Sequence, residues 1–324
     1  MKNVLLLRLR PGASHHEAQR PRGAFVLKSC ARAAWWLGLL LPTTTPGWAQ
    51  VQTTPVLVTT ASLPAPVPDT LTYANGSLRL KGLLWRPPGP GPFPAIVLNH
   101  GSELTGNGPA GTVPVLLAHG YAVFLPCRRG QYLSQGQGRY ISTLLDSAEK
   151  AGPADEYSRL LIRLHETEQL SDQLAGLAAL KKQPGIDPKR LAVMGVSFGG
   201  IQAVLAATQA VGLRAAVDFA GGAMVWDRSP LIAAWLKQKV AQARVPIFLA
   251  QAANDFSTGP TRELAAELQR LGKPYEEKIY PAVGTTHMDG HRFVRSPDVW
   301  STDVFAFLDR YLQPAKKARR ARKA

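Results

Sequence analysis

The feature that most constrains how this chain folds is a serine between two glycines, where a strand-like stretch meets a helix-like one. The pentapeptide Gly-Val-Ser-Phe-Gly, residues 195–199, follows the apolar run 191–193 and enters the apolar run 201–207. A strand that enters a helix through Gly-x-Ser-x-Gly is typical of a nucleophile elbow, because small neighbours permit the sharp turn that exposes the serine hydroxyl. Ser197 is therefore the candidate nucleophile. The alternative is a glycine-rich turn without a chemical role.

Strand-like and helix-like stretches alternate from residue 94 onward, and this alternation predicts the fold class. Several of the strand-like runs are apolar without alternation, as expected for strands covered on both faces. The pattern predicts an α/β fold, a doubly wound, mostly parallel sheet with helices on both faces. We expect strands at 77–85, 94–99, 121–126, 191–193, 214–220, 245–250 and 275–280, and helices at 113–117, 230–240, 264–271 and 299–312.

The long segment before the elbow carries leucines at helical spacing. A Gly-Pro break at 152–153 divides it into a small cap-like insertion, 141–151, and a long helix over about 154–183. The acidic residues of this helix are interpreted as a solvated face rather than as paired acid and base groups. They include Glu166, Glu168 and Asp172.

Active sites of doubly wound sheets lie at the carboxyl ends of the strands, so the loops there should hold the partners of Ser197. A serine nucleophile needs a histidine to accept its proton and a carboxylate to orient that histidine, in the chain order Ser, acid, His. Asp255 follows the strand-like run 245–250 and is the candidate acid. Asp218, at the end of the preceding strand, is the alternative, and a capping aspartate is the non-catalytic interpretation.

Two histidines compete for the role of base after the last strand. We prefer His291, because Gly290 lets the backbone present it and Phe293 can seat the loop. His287 is then a surface or supporting residue. The two are four residues apart, a spacing that also suits a metal pair on a helix, but the glycine and the expected loop argue against such a helix. We expect neither a metal nor a cofactor.

A polar, glycine-rich loop follows His100-Gly101 directly after the strand-like run 94–99. A second oxyanion donor is expected there, beside the amide of the residue after the nucleophile. Backbone amides of Ser102 and Phe198 are the proposed pair, and a simple tight turn is the alternative. Four further residues are candidates for binding the substrate: Glu103, Tyr132, Tyr140 and Trp226.

The net charge of +16 is concentrated at the two ends of the chain. Residues 1–49 and 314–324 together contribute +12, which leaves +4 on the body between them. This distribution argues against a nucleic-acid-binding surface. We interpret 314–324 as a basic disordered tail, with weak contact to an anionic envelope surface as the alternative.

Residues 1–49 have the layout of a secretory signal peptide. A core of nine apolar residues, 33–41, follows basic residues and precedes Gly47-Trp48-Ala49, which suits cleavage before Gln50. Nine apolar residues are too few to cross about 30 Å of hydrocarbon, although an uncleaved anchor stays an alternative. We therefore expect export to the periplasm or medium. Residues 50–70 are interpreted as a Pro/Thr-rich linker and 71–313 as the catalytic domain.

Taken together, the elbow around Ser197, the acid Asp255, the segment Gly290-His291 and the pair His100-Gly101 resemble the α/β-hydrolase superfamily. Within it the chain is similar to the dienelactone hydrolase-like group and its relatives among the prolyl oligopeptidase-type peptidases, over about residues 75–312. The resemblance implies Ser197 as nucleophile, Asp255 as acid and His291 as base. One departure matters, because dienelactone hydrolases carry cysteine at the elbow where this chain has serine. A lactone substrate is therefore not carried over.

These observations predict an exported serine hydrolase that cleaves small-molecule carboxylic esters through an acyl-enzyme. A peptidase or amidase with the same triad is the enzymatic alternative. A binding protein that keeps the fold without catalysis is the alternative from another class, and it predicts a missing triad member, whereas none is missing from the sequence.

Overall fold

The structure is a computed structural model, and it describes residues 67–105, 108–153 and 155–313. The predicted signal peptide, nearly all of the predicted linker and the basic tail lie outside these residues. No helix within the described ranges is long and apolar enough to cross a membrane.

Eight strands form one sheet with the order β1-β2-β4-β3-β5-β6-β7-β8. The strands β1, β2 and β4 pair antiparallel, whereas β4, β3 and β5 to β8 are parallel neighbours. The predicted α/β class and mostly parallel sheet are confirmed. The strands are β1 Asp69–Asn75, β2 Leu78–Trp85, β3 Phe93–Asn99, β4 Ala122–Cys127, β5 Ile186–Val196, β6 Ala215–Phe219, β7 Ile247–Ala252 and β8 Tyr275–Tyr280.

Apolar side chains cover both faces of the sheet, as expected for parallel strands with helices on either side. The central strands β3, β6 and β7 alternate their side chains between two buried clusters, one on each face. Strand β1 begins two residues inside the predicted linker, because Asp69 pairs with Leu84 of β2. Burial on both faces fixes the register of these strands, and therefore the positions of the loops at their carboxyl ends.

Nine α-helices flank the sheet in the described part of the chain. The cap-like insertion at 141–151 is a helix, as its apolar spacing predicts. The helices are α1 Val113–Ala118, α2 Ile141–Ala151, α3 Glu156–Leu164, α4 Leu170–Leu180, α5 Phe198–Ala207, α6 Pro230–Ala241, α7 Gly259–Arg270, α8 His287–His291 and α9 Pro297–Leu312.

The predicted long helix over 154–183 is present as α3 and α4, joined by a π-helical turn, His165–Gln169. The solvated interpretation of its acidic residues is wrong for Asp172, which is fully buried. Its carboxylate accepts hydrogen bonds from Asn75 and from the side chain and backbone of Arg129. The reason is that one face of α4 packs against the sheet beneath the loop after β4, where an arginine is available to pair with the acid.

The segment around the two histidines also differs from the expected loop. Residues His287–His291 form the one-turn helix α8, and Thr286 and Asp289 form a capping box at its start. The glycine does not prevent this helix, because a single turn closed by a capping box tolerates one flexible residue.

Candidate active site

Ser197 lies at the turn between β5 and α5 with a backbone φ of 57°. A non-glycine residue adopts this conformation only where its surroundings impose it. The neighbouring glycines show what imposes it, because a Cβ on Gly195 would lie 2.0 Å from the carbonyl oxygen of Gly199, and one on Gly199 would lie 2.2 Å from that of Asn99. The Gly-x-Ser-x-Gly spacing is thus required by the close approach of α5 to the ends of β3 and β5.

His291 and Asp255 form a buried pair at the carboxyl ends of β7 and β8. The Nδ1 atom of His291 lies 2.9 Å from Oδ1 of Asp255. Because a carboxylate only accepts hydrogen bonds, this contact assigns the ring proton to Nδ1 and leaves the lone pair on Nε2. That Nε2 atom is buried and has no hydrogen-bond partner among the described residues. The ring is therefore oriented to accept a proton from a group placed next to it.

Gly290 and Asn254 hold these two residues together. A Cβ on Gly290 would lie 2.6 Å from the backbone carbonyl of Asn254, so α8 approaches the loop of the acid more closely than any other residue type permits. The side chain of Asn254 donates to the carbonyls of Val283 and Thr286, both at 2.9 Å, and thereby binds the two loops to each other. Sequence reasoning missed Asn254, although its position beside the candidate acid could have indicated a supporting role.

The alternative residues of the triad lie elsewhere. His287 is exposed, and its Nδ1 is 3.2 Å from the carbonyl oxygen of Asn254 rather than near a carboxylate. Asp218 is buried in β6 and accepts a hydrogen bond from the amide of Gly221 at 2.8 Å. Burial raises the pKa of Asp218 to about 7, which the Gly221 amide opposes and the charge of Asp255 reinforces. The structure thus joins His291 to Asp255.

The two predicted oxyanion donors lie at the same cavity as Ser197. Ser102, Ser197 and Phe198 all line it, and its volume is about 130 Å³. Phe198 is the first residue of α5, where an amide has no intrahelical acceptor. The amide of Ser102 likewise donates no hydrogen bond within the described residues. Two free N–H groups therefore accompany the serine at this cavity.

The wall of this cavity away from the serine is formed largely by the cap-like insertion and by the loop after β6. Its apolar lining includes Leu145, Ile201, Met224 and Val225. Two charged side chains also line it: Asp146 and Arg228. The sequence indicated the insertion at 141–151 but carried no signal that it borders the serine.

The four predicted substrate-binding residues do not line this cavity. Tyr140 donates its hydroxyl hydrogen bond to the Ser102 carbonyl, and the ring of Tyr132 lies 4.5 Å from that of His100. Trp226 is buried and donates to Glu263, while the backbone carbonyl of Glu103 accepts from Gln131. Residues of the helical insertion and of the loop after β6 supply much of the lining instead.

No group of three or more histidine, cysteine, aspartate or glutamate side chains placed to hold a metal ion occurs among residues 67–105, 108–153 and 155–313.

A family model described as "Dienelactone hydrolase family" matches residues 80–299 of the chain. A search of curated proteins found no match.

Solved structures of three hydrolases resemble the chain. An acylaminoacyl peptidase from Pyrococcus horikoshii is 18% identical with a TM-score of 0.54, over 79% of this chain and 43% of that one. A puromycin-hydrolyzing peptidase from Mycobacterium tuberculosis is 18% identical with a TM-score of 0.56, over 78% of this chain and 42% of that one. A dienelactone hydrolase from Anabaena variabilis is 15% identical with a TM-score of 0.54, over 76% of this chain and 99% of that one. The chain thus spans less than half of each peptidase, and at these identities the likeness concerns the fold alone.

Proposed function

The chain belongs to the dienelactone hydrolase family of α/β hydrolases, and from that premise we propose that it is a serine hydrolase that cleaves carboxylic esters. The observation that carries the proposal is the buried pair of His291 and Asp255 with a free Nε2 atom. A serine, a base oriented by a carboxylate and two unpaired amides are the groups that acyl transfer requires.

In the proposed reaction, Oγ of Ser197 attacks the ester carbonyl while Nε2 of His291 accepts the serine proton. The carbonyl electron pair moves onto oxygen, which the amides of Ser102 and Phe198 stabilise. The intermediate collapses to an acyl-enzyme, and the alcohol leaves with the proton from His291. Water then attacks the acyl carbon by the same route and releases the acid. Asp255 stabilises the imidazolium that forms in each half of the reaction.

The serine at the elbow supports ordinary esters over the lactones in the family name. A serine hydroxyl depends on its histidine for activation, whereas a cysteine thiol is partly ionised by itself near neutral pH. The pairing of His291 with Asp255 fits this need for an activated base.

The size of the cavity supports a short acyl group. Its volume of about 130 Å³ is slightly smaller than the cavity of about 150 Å³ that holds a benzene molecule in another protein. In this proposal the acyl group occupies the cavity, because the cavity borders Ser197 and both oxyanion residues. Turnover of esters of increasing acyl length tests this, and we expect activity to decline for long acyl chains.

Replacing Ser197 with alanine tests the proposal directly. We expect kcat on short p-nitrophenyl esters to fall at least about 10⁴-fold, because the nucleophile is lost. Ser147→Ala is the control, since Ser147 lies on the exposed side of α2 and its hydroxyl bonds, among the residues that the structure describes, the carbonyl of Thr143 alone. Near-normal activity of Ser197→Ala would overturn the assignment.

A serine peptidase or amidase is the second candidate, because two of the similar structures are peptidases. Turnover of matched ester and anilide substrates separates the two functions. A non-catalytic binding protein would not react with a fluorophosphonate at Ser197, whereas either enzyme would.

Export is a further part of the proposal. The signal-peptide layout of residues 1–49 supports it. Mass spectrometry of the protein from its native host should find a chain that begins at Gln50, and a chain that retains residues 1–49 would contradict cleavage.

A further inference from the structure

A fully buried arginine lies behind the loop that follows β3. Arg128 directly follows β4, the neighbour of β3 in the sheet, and its side chain has no solvent exposure. No carboxylate of the described residues lies within salt-bridge distance of it. Burial lowers the pKa of Arg128 to about 10, and a buried charge without a paired carboxylate is costly. The hydrogen bonds of the Arg128 guanidinium therefore have to offset this cost.

The hydrogen bonds of Arg128 converge on the loop that carries the oxyanion donor. One terminal nitrogen of its guanidinium donates to the carbonyl oxygens of His100 and Gly101, both at 2.8 Å. The Nε atom donates to Oε1 of Gln169, at the end of the π-helical turn, also at 2.8 Å. The guanidinium of Arg128 is thus fixed through Nε by Gln169, and one of its terminal nitrogens donates to two consecutive carbonyls of the loop.

The second of these carbonyls determines where the Ser102 amide points. In a trans peptide the C=O of one residue and the N–H of the next point in opposite directions within one plane. The Gly101 oxygen is held towards Arg128, with Nδ1 of His100 at 3.0 Å and Nε2 of Gln131 at 3.3 Å as its other side-chain neighbours, so the Ser102 N–H points away from the arginine. Ser102 lines the cavity with Ser197, and its N–H has no partner among the described residues.

The following peptide is held as well, because the hydroxyl of Tyr140 donates to the Ser102 carbonyl. The Ser102 amide therefore lies between two tethered carbonyls. An oxyanion donor is effective when it is oriented before the reaction, since no reorganisation is then needed in the transition state.

From this geometry we propose that Arg128 is a positioning residue that orients the Ser102 amide towards the oxyanion, with Tyr140 holding the next peptide. This inference rests on the proposed serine hydrolase function. Arg128 itself touches neither the substrate nor Ser197. The competing role is purely structural, in which Arg128 only ties β4 to the π-helical turn through Gln169.

The two roles predict different kinetics for Arg128→Met, which keeps much of the side-chain length and removes the donors. A positioning role predicts that kcat falls about 10- to 100-fold, less than the loss of a whole oxyanion donor, while KM changes little. A structural role predicts a lower Tm with kcat preserved at temperatures where the protein stays folded.

Arg129→Met is the matched control. Arg129 is the adjacent residue and pairs with the buried Asp172, so its loss should lower the Tm at least as much. No hydrogen bond joins its side chain to the loop carbonyls among the described residues, so kcat should be retained.

A trifluoromethyl ketone gives a second readout. Ser197 Oγ forms a bond to the ketone carbon, the serine proton passes to His291, and the carbonyl electron pair becomes an oxyanion that the amides must stabilise. Arg128→Met should weaken this inhibitor by the same factor as kcat/KM, whereas the affinity for the product acid should stay within about three-fold.

Tyr140→Phe keeps the test valid if Arg128→Met fails to fold, because it removes a single partly exposed hydroxyl. We expect its kcat to fall about three- to ten-fold at constant KM. Unchanged kcat and inhibitor affinity in folded Arg128→Met, or in Tyr140→Phe, would overturn the inference while the wild type still hydrolyses esters. Failure of the wild type to hydrolyse esters or to react with a fluorophosphonate would instead overturn the proposed function.

Discussion

The two sides of the sheet around Ser197 supply different kinds of group to the candidate site. The side after β7 and β8 supplies ionisable side chains, Asp255 and His291, which contact each other directly. The side after β3 and β4 supplies the backbone amide of Ser102, and the buried residues His100 and Arg128 bond each other beneath this loop. We call these the acid–base side and the amide side.

The two sides differ in the kind of group whose position has to be fixed, a pair of side chains on one side and a backbone N–H on the other. In the proposed reaction, the reacting atoms of the acid–base side belong to side chains, which one hydrogen bond and one close backbone approach align. The proposed group of the amide side is a peptide N–H, whose direction is set by the backbone that carries it. Burial and the charge of Arg128 hold the pKa of His100 well below its ordinary value, so this histidine stays neutral and acts as a hydrogen-bond partner.

Removing the base should have the largest effect. We expect His291→Gln to lower kcat about 10⁴- to 10⁶-fold, because the proposed acceptor of the serine proton is lost. His287→Gln is the matched control, since the one hydrogen bond of this exposed ring within the described part of the chain goes to a backbone carbonyl. Steady-state kinetics on p-nitrophenyl esters compares them, and a larger loss in His287→Gln would reverse the assignment.

Removing the acid should cause the second-largest loss of kcat. We expect Asp255→Asn to lower kcat about 10³- to 10⁴-fold, because the amide favours the wrong histidine tautomer. Asp218→Asn should retain kcat within about three-fold, since Asp218 bonds the Gly221 amide instead of a histidine. If Asp218→Asn were the more damaging variant, the acid would be Asp218.

Gly290→Ala tests the close approach on the acid–base side. The added Cβ would lie 2.6 Å from the Asn254 backbone, so α8 must shift and carry His291 away from Asp255. A displacement of about 1 Å can cost about 100-fold, and we expect kcat to fall about 10- to 100-fold. Gly111→Ala adds the same methyl group where no atom of the described residues lies within 4 Å, and its kcat should be unchanged. Equal rates in both variants would contradict the packing argument.

His100→Gln tests the amide side by removing a residue that supports the loop before Ser102. The Nε2 atom of His100 accepts from the Arg128 backbone amide at 3.2 Å, and its loss should loosen the loop without removing a donor. We expect kcat to fall about 10-fold at constant KM, since a loosened donor costs less than a missing one. A loss as large as that of His291→Gln would show that the two histidines act alike and would abolish the distinction between the sides.

The smallest effect on activity and a clear one on stability are expected for Asp218→Asn. The pKa of Asp218 is raised to about 7, so its contribution to stability is complete below its unfolded pKa of about 3.9 and is lost as the pH rises through the folded value. Between pH values of about 3.9 and about 7, the unfolding free energy of the wild type should fall on the order of 4 kcal/mol more than that of the variant, whose amide does not titrate. Denaturant titrations at several pH values measure this, and parallel curves would contradict the raised pKa.

The order of elements was predictable because apolar runs that alternate with amphipathic stretches fit one kind of layered fold. The elbow, the candidate acid and the candidate base could be proposed from the sequence because each follows a strand-like run in the expected order. The helix at His287–His291 was missed because Gly290 argues against a helix, although Thr286 and Asp289 already have the spacing of a capping box. The four substrate-binding candidates, Glu103 among them, stay predictions: they were chosen by residue type in loops, and none of them lines the cavity beside Ser197.

The sequence by itself determined the sheet, the serine at its elbow and the strand ends that carry the histidine and the aspartate. These follow from local patterns, in which periodicity and glycine spacing act over a few residues. Only the tertiary structure decided that His291 pairs with Asp255, that the helix 141–151 forms a wall of the cavity, and that Arg128 grips the loop before Ser102. The physical reason is that these contacts join residues far apart in the chain, and packing of the whole sheet sets their distances.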